Sequence, residues 1–261
     1  MTLHEQFHAS ITLCCLAACL SRTAYYYVSK RPDDHDLIEA LLALIDRHPR
    51  WGFPKCRKRL KALGYGWNHK RIYRVYLELK LNMRRKAKRR LPTREPQPLT
   101  VPDTVNSCWS VDFMSDVLQH GHRFRTFNVV DDFNREVLGI DINSGITASR
   151  VTRFLDQIAA WRGYPQKIRV DNGPEFISAE FAHWAECHRI DIQYIQPGSP
   201  YQNAFVERFN RTYREDVLDL YLFKNLDQVR QITDDWILLY NYERPHDGLE
   251  DRTPIEVLNA V

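Results

Sequence analysis

Three acidic residues carry the chemistry of this sequence: Asp112, Asp171 and Glu207. Asp112 sits in Trp109-Ser110-Val111-Asp112-Phe113, which alternates like a buried strand. Asp171 opens Asp171-Asn172-Gly173-Pro174-Glu175-Phe176, directly after the strand-like Ile168-Arg169-Val170, and Glu207 follows with 35 residues between them. Hard oxygen ligands brought together from two strands and a helix can hold a pair of Mg²⁺ ions, the apparatus for in-line attack on a phosphodiester. Each residue also admits a plainer reading. Asp112 can face water from an edge strand, Asp-Asn-Gly is a common turn, and Glu207 can pair with Arg211 one helical turn on.

The words around these residues separate the two readings. They are Trp-Ser-Val-Asp at 109–112, Asp-Asn-Gly-Pro-Glu-Phe at 171–176, and Asn-Ala-Phe-Val-Glu-Arg-Phe-Asn at 203–210. Arg214 stands seven residues after Glu207, and the tail reads Tyr240-Asn241-Tyr242-Glu243-Arg244-Pro245-His246, then Arg252-Thr253-Pro254. Together they resemble the retroviral-integrase-like DDE transposases, and most closely the second-reading-frame protein of bacterial insertion sequences encoded in two overlapping frames. The likeness runs from about Ser21 to the end. It implies an RNase H-like core in which Asp112 bridges two Mg²⁺ ions, replaceable by Mn²⁺, and Asp171 and Glu207 complete one site each. It further implies cleavage at element ends, transfer of a 3′-hydroxyl to target DNA, and a homo-multimer acting on paired double-stranded ends. An upstream-frame protein is the implied fusion or partner, and this chain has no zipper heptads of its own. The alternatives are a nuclease of the same fold without strand transfer and a non-catalytic DNA-binding remnant of a transposable element.

The charge distribution agrees with a nucleic-acid partner. The 261 residues carry +4 overall, but residues 47–94 hold 18 Lys and Arg against the single acid Glu78. That stretch is +17 and the rest −13, whereas a merely solvated surface mixes signs. The six cysteines form no disulfide framework. His4, His8, Cys15 and Cys19 raise the thought of zinc, but the apolar run Ile11–Leu20 favours buried thiols on a helix. That run is too short for a bilayer and lacks a basic leader, so the expected location is cytoplasmic, at the nucleoid, with no membrane partner.

The elements that must position the acids are readable in outline. Residues 9–28 suit two short helices with Ser21 as a cap, 33–47 an amphipathic helix, and Lys55–Leu63 a basic helix. A further helix over Asn68–Leu81 carries Lys70, Arg71 and Arg74 for DNA, and Arg84, Arg85, Lys86, Lys88, Arg89 and Arg90 form a basic arm along phosphates. Pro92, Pro96, Pro98 and Pro102 mark a linker. The expected division is a small basic all-α DNA-binding region with a helix-turn-helix at 1–90, a proline-bearing linker at 91–106, and an α/β RNase H-like DDE catalytic core with C-terminal helices at 107–261.

The core predicts strands at 108–114, 123–131 and 136–142, a helix at 148–162, a strand at 167–170, a helix at 177–188 and a strand at 191–195. Helices at 200–219 and 226–242 follow. This is the element order of an RNase H-like mixed five-stranded sheet with flanking helices. Ser199, Pro200 and Gln202 suit the start of the Glu207 helix, whose face also presents Asn203, Arg211 and Arg214 to DNA. Asp116 is set aside because the strand is expected to end near Met114. Glu175 is assigned a supporting role, and Asp131-Asp132 a turn rather than a ligand pair.

Overall fold

The alternation that marks Asp112 comes from the middle strand of a five-stranded sheet. The computed structural model describes residues 8–28, 33–82, 101–196 and 203–260. Strands β1 (Cys108–Val117), β2 (Arg123–Asp131), β3 (Val137–Asn143), β4 (Lys167–Val170) and β5 (Asp191–Tyr194) lie in the order β3-β2-β1-β4-β5. β1 pairs antiparallel with β2, from Trp109 opposite Asp131 to Val117 opposite Arg123. β4 runs parallel to β1 and β5 parallel to β4. β1 therefore extends three residues past Met114, because β2 supplies partners down to Arg123. Asp116 consequently lies in the strand, an even step from Asp112.

The two faces of the sheet build separate cores. Trp109, Val111, Phe127 and Val129 point to one side, where they pack with Val151, Leu155 and Ile158 of α6 (Ala148–Arg162) and Phe181 of α8 (Ala179–Cys187). Met114, Phe124 and Val130 point to the other, against Val206, Phe209 and Tyr213 of α9 (Ala204–Tyr213) and Trp236 and Tyr240 of α10 (Leu226–Tyr242). Asp112 shares the parity of Met114 and so looks towards α9.

The expected helix at 177–188 is α8, which starts two residues later, and a further short helix not anticipated from the sequence precedes it. Pro174 begins α7 (Pro174–Ile177), and Ser178 both ends it and caps α8 by accepting from Phe181 N–H at 3.2 Å. The Glu207 helix is described from Ala204; its expected cap, Ser199, lies outside the described residues. Its far end is a π turn, Arg214–Leu218, where the helix widens so that Val217 and Leu218 stay in the core. A 3₁₀ turn, Asp247–Leu249, and α11 (Pro254–Leu258), closed by a capping box between Thr253 and Glu256, complete the tail.

The described residues form two compact units, Met1–Glu39 and Ala40–Val261. The first holds α1 (Ile11–Ala17) and α2 (Arg22–Tyr25), capped by Ser10 and Ser21. Cys15 of α1 is buried and Cys19 exposed, while His4 lies outside the described residues. α3 (His35–Arg47) crosses the division.

In the second unit, α4 (Phe53–Ala62) and α5 (His69–Glu78) pack through Cys56, Leu60, Ile72, Val75 and Tyr76, with the Phe53 ring edge-on to Tyr73 and Tyr76. Asn68 caps α5 by accepting from Lys70 N–H at 2.9 Å. This helix pair is joined to the tail of the sheet-bearing core. Glu243 meets Arg47 at 2.7 Å, His48 at 3.4 Å and Arg59 at 3.6 Å, and Lys58 pairs with Asp247 and Asp251. Among the described residues no helix is long and apolar enough to cross a membrane.

Candidate active site

Asp112 is held in place from two sides. Its Oδ1 accepts from Phe113 N–H at 2.8 Å, and its Oδ2 accepts from the Asn210 side-chain amide at 2.6 Å. Asn210 in turn accepts from Asn128 Nδ2 at 2.6 Å, so two buried amides carry the link from β2 through α9 to β1. Burial pushes the Asp112 carboxyl up to about 6. The two donors oppose that shift, and the negative charges of Asp171 and Glu207 add to it. Asp112 therefore lies close enough to the other two acids to feel their charge in a partly desolvated position.

Asp171 reaches the centre because β4 is parallel to β1. Arg169 pairs with Ser110, which sets Asp171 level with Asp112 at the carboxyl end of β4. Its Oδ1 accepts from Gly173 N–H at 2.9 Å, and a Cβ on Gly173 would stand only 2.9 Å from that same oxygen. A side chain at 173 would therefore push the Asp171 carboxylate from this position. Glu175 is turned away into an ion pair with Arg125 at 2.5 Å, and Arg125 covers the Phe113 ring at 4.3 Å. This contact fastens α7 to β2.

Glu207 stands exposed in the first turn of α9, which Val206, Phe209 and Tyr213 anchor to the sheet. Burial still raises its carboxyl above the usual range. The plainer pairing with Arg211 is absent, because Arg211 binds Glu215 at 2.9 Å. Among the described residues no group of three or more His, Cys, Asp and Glu side chains is gathered closely enough to hold a metal ion. Asp112 and Asp171 are both turned to local amide donors. The donor set nevertheless fits a hard divalent cation, with three carboxylate side chains and mutual repulsion that a cation relieves.

The remaining expected contacts are distributed unevenly. Asn203 is buried, with its Nδ2 donating to the Val111 carbonyl at 3.4 Å, so it ties the start of α9 to β1. Arg214 pairs with Asp116 at 3.3 Å and donates to the Ser115 carbonyl at 3.0 Å. On α5, Lys70 is exposed and Arg71 half-buried, while Arg74 pairs with Glu78 at 3.0 Å. Arg84, Arg85, Lys86, Lys88, Arg89 and Arg90 lie outside the described residues. Asp131 accepts from Phe133 and Asn106 N–H groups and Asp132 pairs with Arg169 at 2.6 Å, which makes this pair part of the turn. Sequence reasoning did not single out Asn128 and Asn210. The available signal for Asn210 was its place three residues after Glu207, on the helix face turned to the sheet.

Comparison with known proteins agrees with this architecture. Two models described as "Integrase core domain" match residues 102–200 and 188–254, and one described as "HTH-like domain" matches residues 32–89. The chain is 36% identical over 255 residues to a 31.7 kDa protein of insertion element IS407 from Burkholderia multivorans, covering 97% of this chain and 92% of that protein. It is 40% identical over 233 residues to a 39.2 kDa protein of IS476 from Xanthomonas euvesicatoria, covering 89% and 67%. To the putative transposase InsK of IS150 from Escherichia coli it is 25% identical, covering 94% and 92%. Among solved structures, an integrase-type fold recurs in a simian T-cell lymphotropic virus intasome, with a TM-score of 0.51 and 20% identity over 73% of this chain and 66% of that one. The chain belongs to the insertion-element proteins that combine an HTH-like domain with an integrase core, and it is an enzyme of the DDE transposase/integrase class, a polynucleotidyl transferase.

Proposed function

We propose that this enzyme cleaves insertion-sequence ends and joins their 3′-hydroxyls to target DNA, using two divalent cations at Asp112, Asp171 and Glu207. The observation that carries this reading is the Asp112 carboxylate on the central strand, its proton affinity raised by burial and by the other two acids. Asp112, Asp171 and Glu207 would hold the cations. When bound, such cations activate the attacking hydroxyl and stabilise the leaving oxygen. Mg²⁺ is the expected ion, with Mn²⁺ as a substitute.

The chain's own residues supply orientation. Asn210 fixes Asp112, and the Gly173 amide fixes Asp171. Glu207, exposed on α9, would complete the ligand set. Arg211, Arg214, Lys70, Arg71, Arg74 and the basic run Arg84–Arg90 are proposed phosphate contacts outside the metal shell. Asn203, buried against β1, acts by seating α9.

The partners in this reading are double-stranded element ends and target DNA, a homo-multimer on paired ends, and an upstream-frame protein as fusion or partner. The place of action is the cytoplasm at the nucleoid. The boundary at 91–106 between a basic helical region and the core is part of the same proposal. Incubation of pre-cleaved element ends with plasmid and Mg²⁺, scored for covalently joined products, tests the function. Cleavage without any joined product would leave a nuclease instead.

A further inference from the structure

The tail word Tyr240-Asn241-Tyr242-Glu243-Arg244-Pro245-His246 plays no part in the carboxylate site. Arg244 and His246 from this word line a cleft of about 390 Å³ in the second unit, on the core side of the HTH-like helices. Lys55 of α4, Arg135 of the β2–β3 turn, and Phe205 and Arg208 of α9 line it as well. Four cationic side chains from four separate segments thus face one space.

Their charge is only partly compensated, with Asp132 and Asp131 acting on Arg135. Arg244 has a partner in Asp216 at 2.5 Å, and the rim acid Asp247 is taken by Lys58. Lys55 and Arg208 have no ion pair among the described residues. Arg135 lies over the Phe205 ring at 3.4 Å, and its buried Nη1 lacks a hydrogen-bond partner. The buried Nε2 of His246 lacks one too. Burial, and then the Arg244 charge, bring the Lys55 ammonium down to about 8. Burial followed by Arg244, Lys55 and Arg135 brings His246 down to about 3, so its ring is neutral at physiological pH.

Buried donors are rarely left unpaired, and each one costs free energy until a partner arrives. Guanidinium forks beside an ammonium match the oxygens of a tetrahedral oxyanion. We propose that this cleft is a second, non-catalytic anion site that seats one phosphate of a DNA strand. The choice of DNA as the source rests on the function proposed above, whereas the phosphate chemistry does not. Glu207 and Arg208 are consecutive on α9, about 100° apart around the helix. The catalytic acid and the phosphate seat therefore occupy two sides of one helix, and a strand held by Arg208 fixes the helix that carries Glu207. Lys55 brings the HTH-like helices into the same contact.

The test uses the full chain and two probes. Inorganic phosphate is titrated against chloride at matched ionic strength while the melting temperature is followed. Phosphate should stabilise the wild type and the remote control Arg153→Gln equally. Arg208→Gln, an exposed change whose fold is checked by circular dichroism, should weaken the phosphate midpoint about tenfold, as should Arg135→Gln. An equal response in all four proteins, or none, overturns the site.

The second probe is duplex DNA carrying single methylphosphonates, each removing one charge. One position should weaken binding by the wild type and by Arg153→Gln, but make no difference to Arg208→Gln. A phosphate response without such a position overturns DNA as the occupant and assigns the cleft to free phosphate. Asp112→Asn should lose joining while keeping both responses. If the wild type fails to join ends yet shows both responses, the transposase reading falls and the phosphate seat stands.

Discussion

Asn210 on α9 donates to Asp112 on β1 at 2.6 Å, across 98 positions of sequence. This bond sets how far the helix carrying Glu207 stands from the strand carrying Asp112. Removing it should loosen the catalytic geometry before it loosens the fold. Asn210→Ala is expected to lower joining about 10–100-fold and to raise the Mg²⁺ concentration for half-maximal activity, as happens when the partner of a metal ligand is removed. Unchanged metal dependence would reduce Asn210 to a packing residue.

Asp112→Asn, Asp171→Asn and Glu207→Gln should each abolish joining and leave folding and DNA binding nearly intact. The Asp112 carboxyl also gives a readout independent of activity. Its folded pKa, about 6, lies above the unfolded value, so the folded state holds the extra proton between those limits. Its stabilising contribution is full below the unfolded value and is lost as pH rises through about 6. In metal-free protein at pH 7, Asp112→Asn should therefore raise stability, by something of the order of 2 kcal/mol. Mg²⁺ should raise the melting temperature of the wild type only. Calorimetry with and without Mg²⁺ from pH 4 to 8 measures both effects.

Arg214 is held by Asp116 in an ion pair open to solvent, the kind worth little and readily exchanged. Arg214→Ala should weaken binding of cut ends about tenfold without moving the Mg²⁺ midpoint, and Arg214→Lys should recover much of the affinity. Asp116→Asn should do neither. A shifted midpoint in Arg214→Ala that Asp116→Asn reverses would instead show that Arg214 keeps Asp116 away from the metals.

Neutralising Arg84, Arg85, Lys86, Lys88, Arg89 and Arg90 should flatten the salt dependence of DNA binding on every sequence alike. The slope should fall by about 0.9 for each DNA phosphate that the arm no longer neutralises. Filter binding between low and moderate salt gives the slope, and an unaltered slope would show that the arm does not touch DNA.

Trypsin should cut first within 91–106, yet the two pieces should stay together. Arg47, His48 and Arg59 all reach Glu243, and Lys58 reaches Asp247 and Asp251. Size-exclusion chromatography of the nicked protein should show co-elution, weakened by Glu243→Gln. Immediate separation would mean that these ion pairs contribute nothing to the association.

The elements that sequence reading placed to the residue, such as β2, α6, β4 and α10, have strong local signals. α10 follows Asn225, whose side chain accepts from Gln228 N–H, and α6 follows Thr147 in the same manner. The misplaced boundaries depend on distant partners. β1 continues past Met114 because β2 is there to pair with it, and nothing within Ser115-Asp116-Val117 announces this. The later start of α8 has a local cause instead, since Ser178 both ends α7 and caps α8. The acids were legible because their flanking words are contiguous, whereas the cationic cleft joins side chains as far apart in sequence as Lys55 and His246.

The π turn at Arg214–Leu218 has a consequence for chain length. Each of its bonds spans five residues where an α-helix spans four, as in Asp219 N–H to the Arg214 carbonyl at 2.9 Å. The segment thus contains one residue more than a regular helix needs. Deleting that surplus would regularise the helix while rotating Val217 and Leu218 out of the core. Insertion would press on the seven-residue connection, 219–225, that leads into α10. The stretch from Glu207 to α10 is locally imperfect and yet fixed in length, so surviving variants of this protein should differ there by substitution and not by gaps.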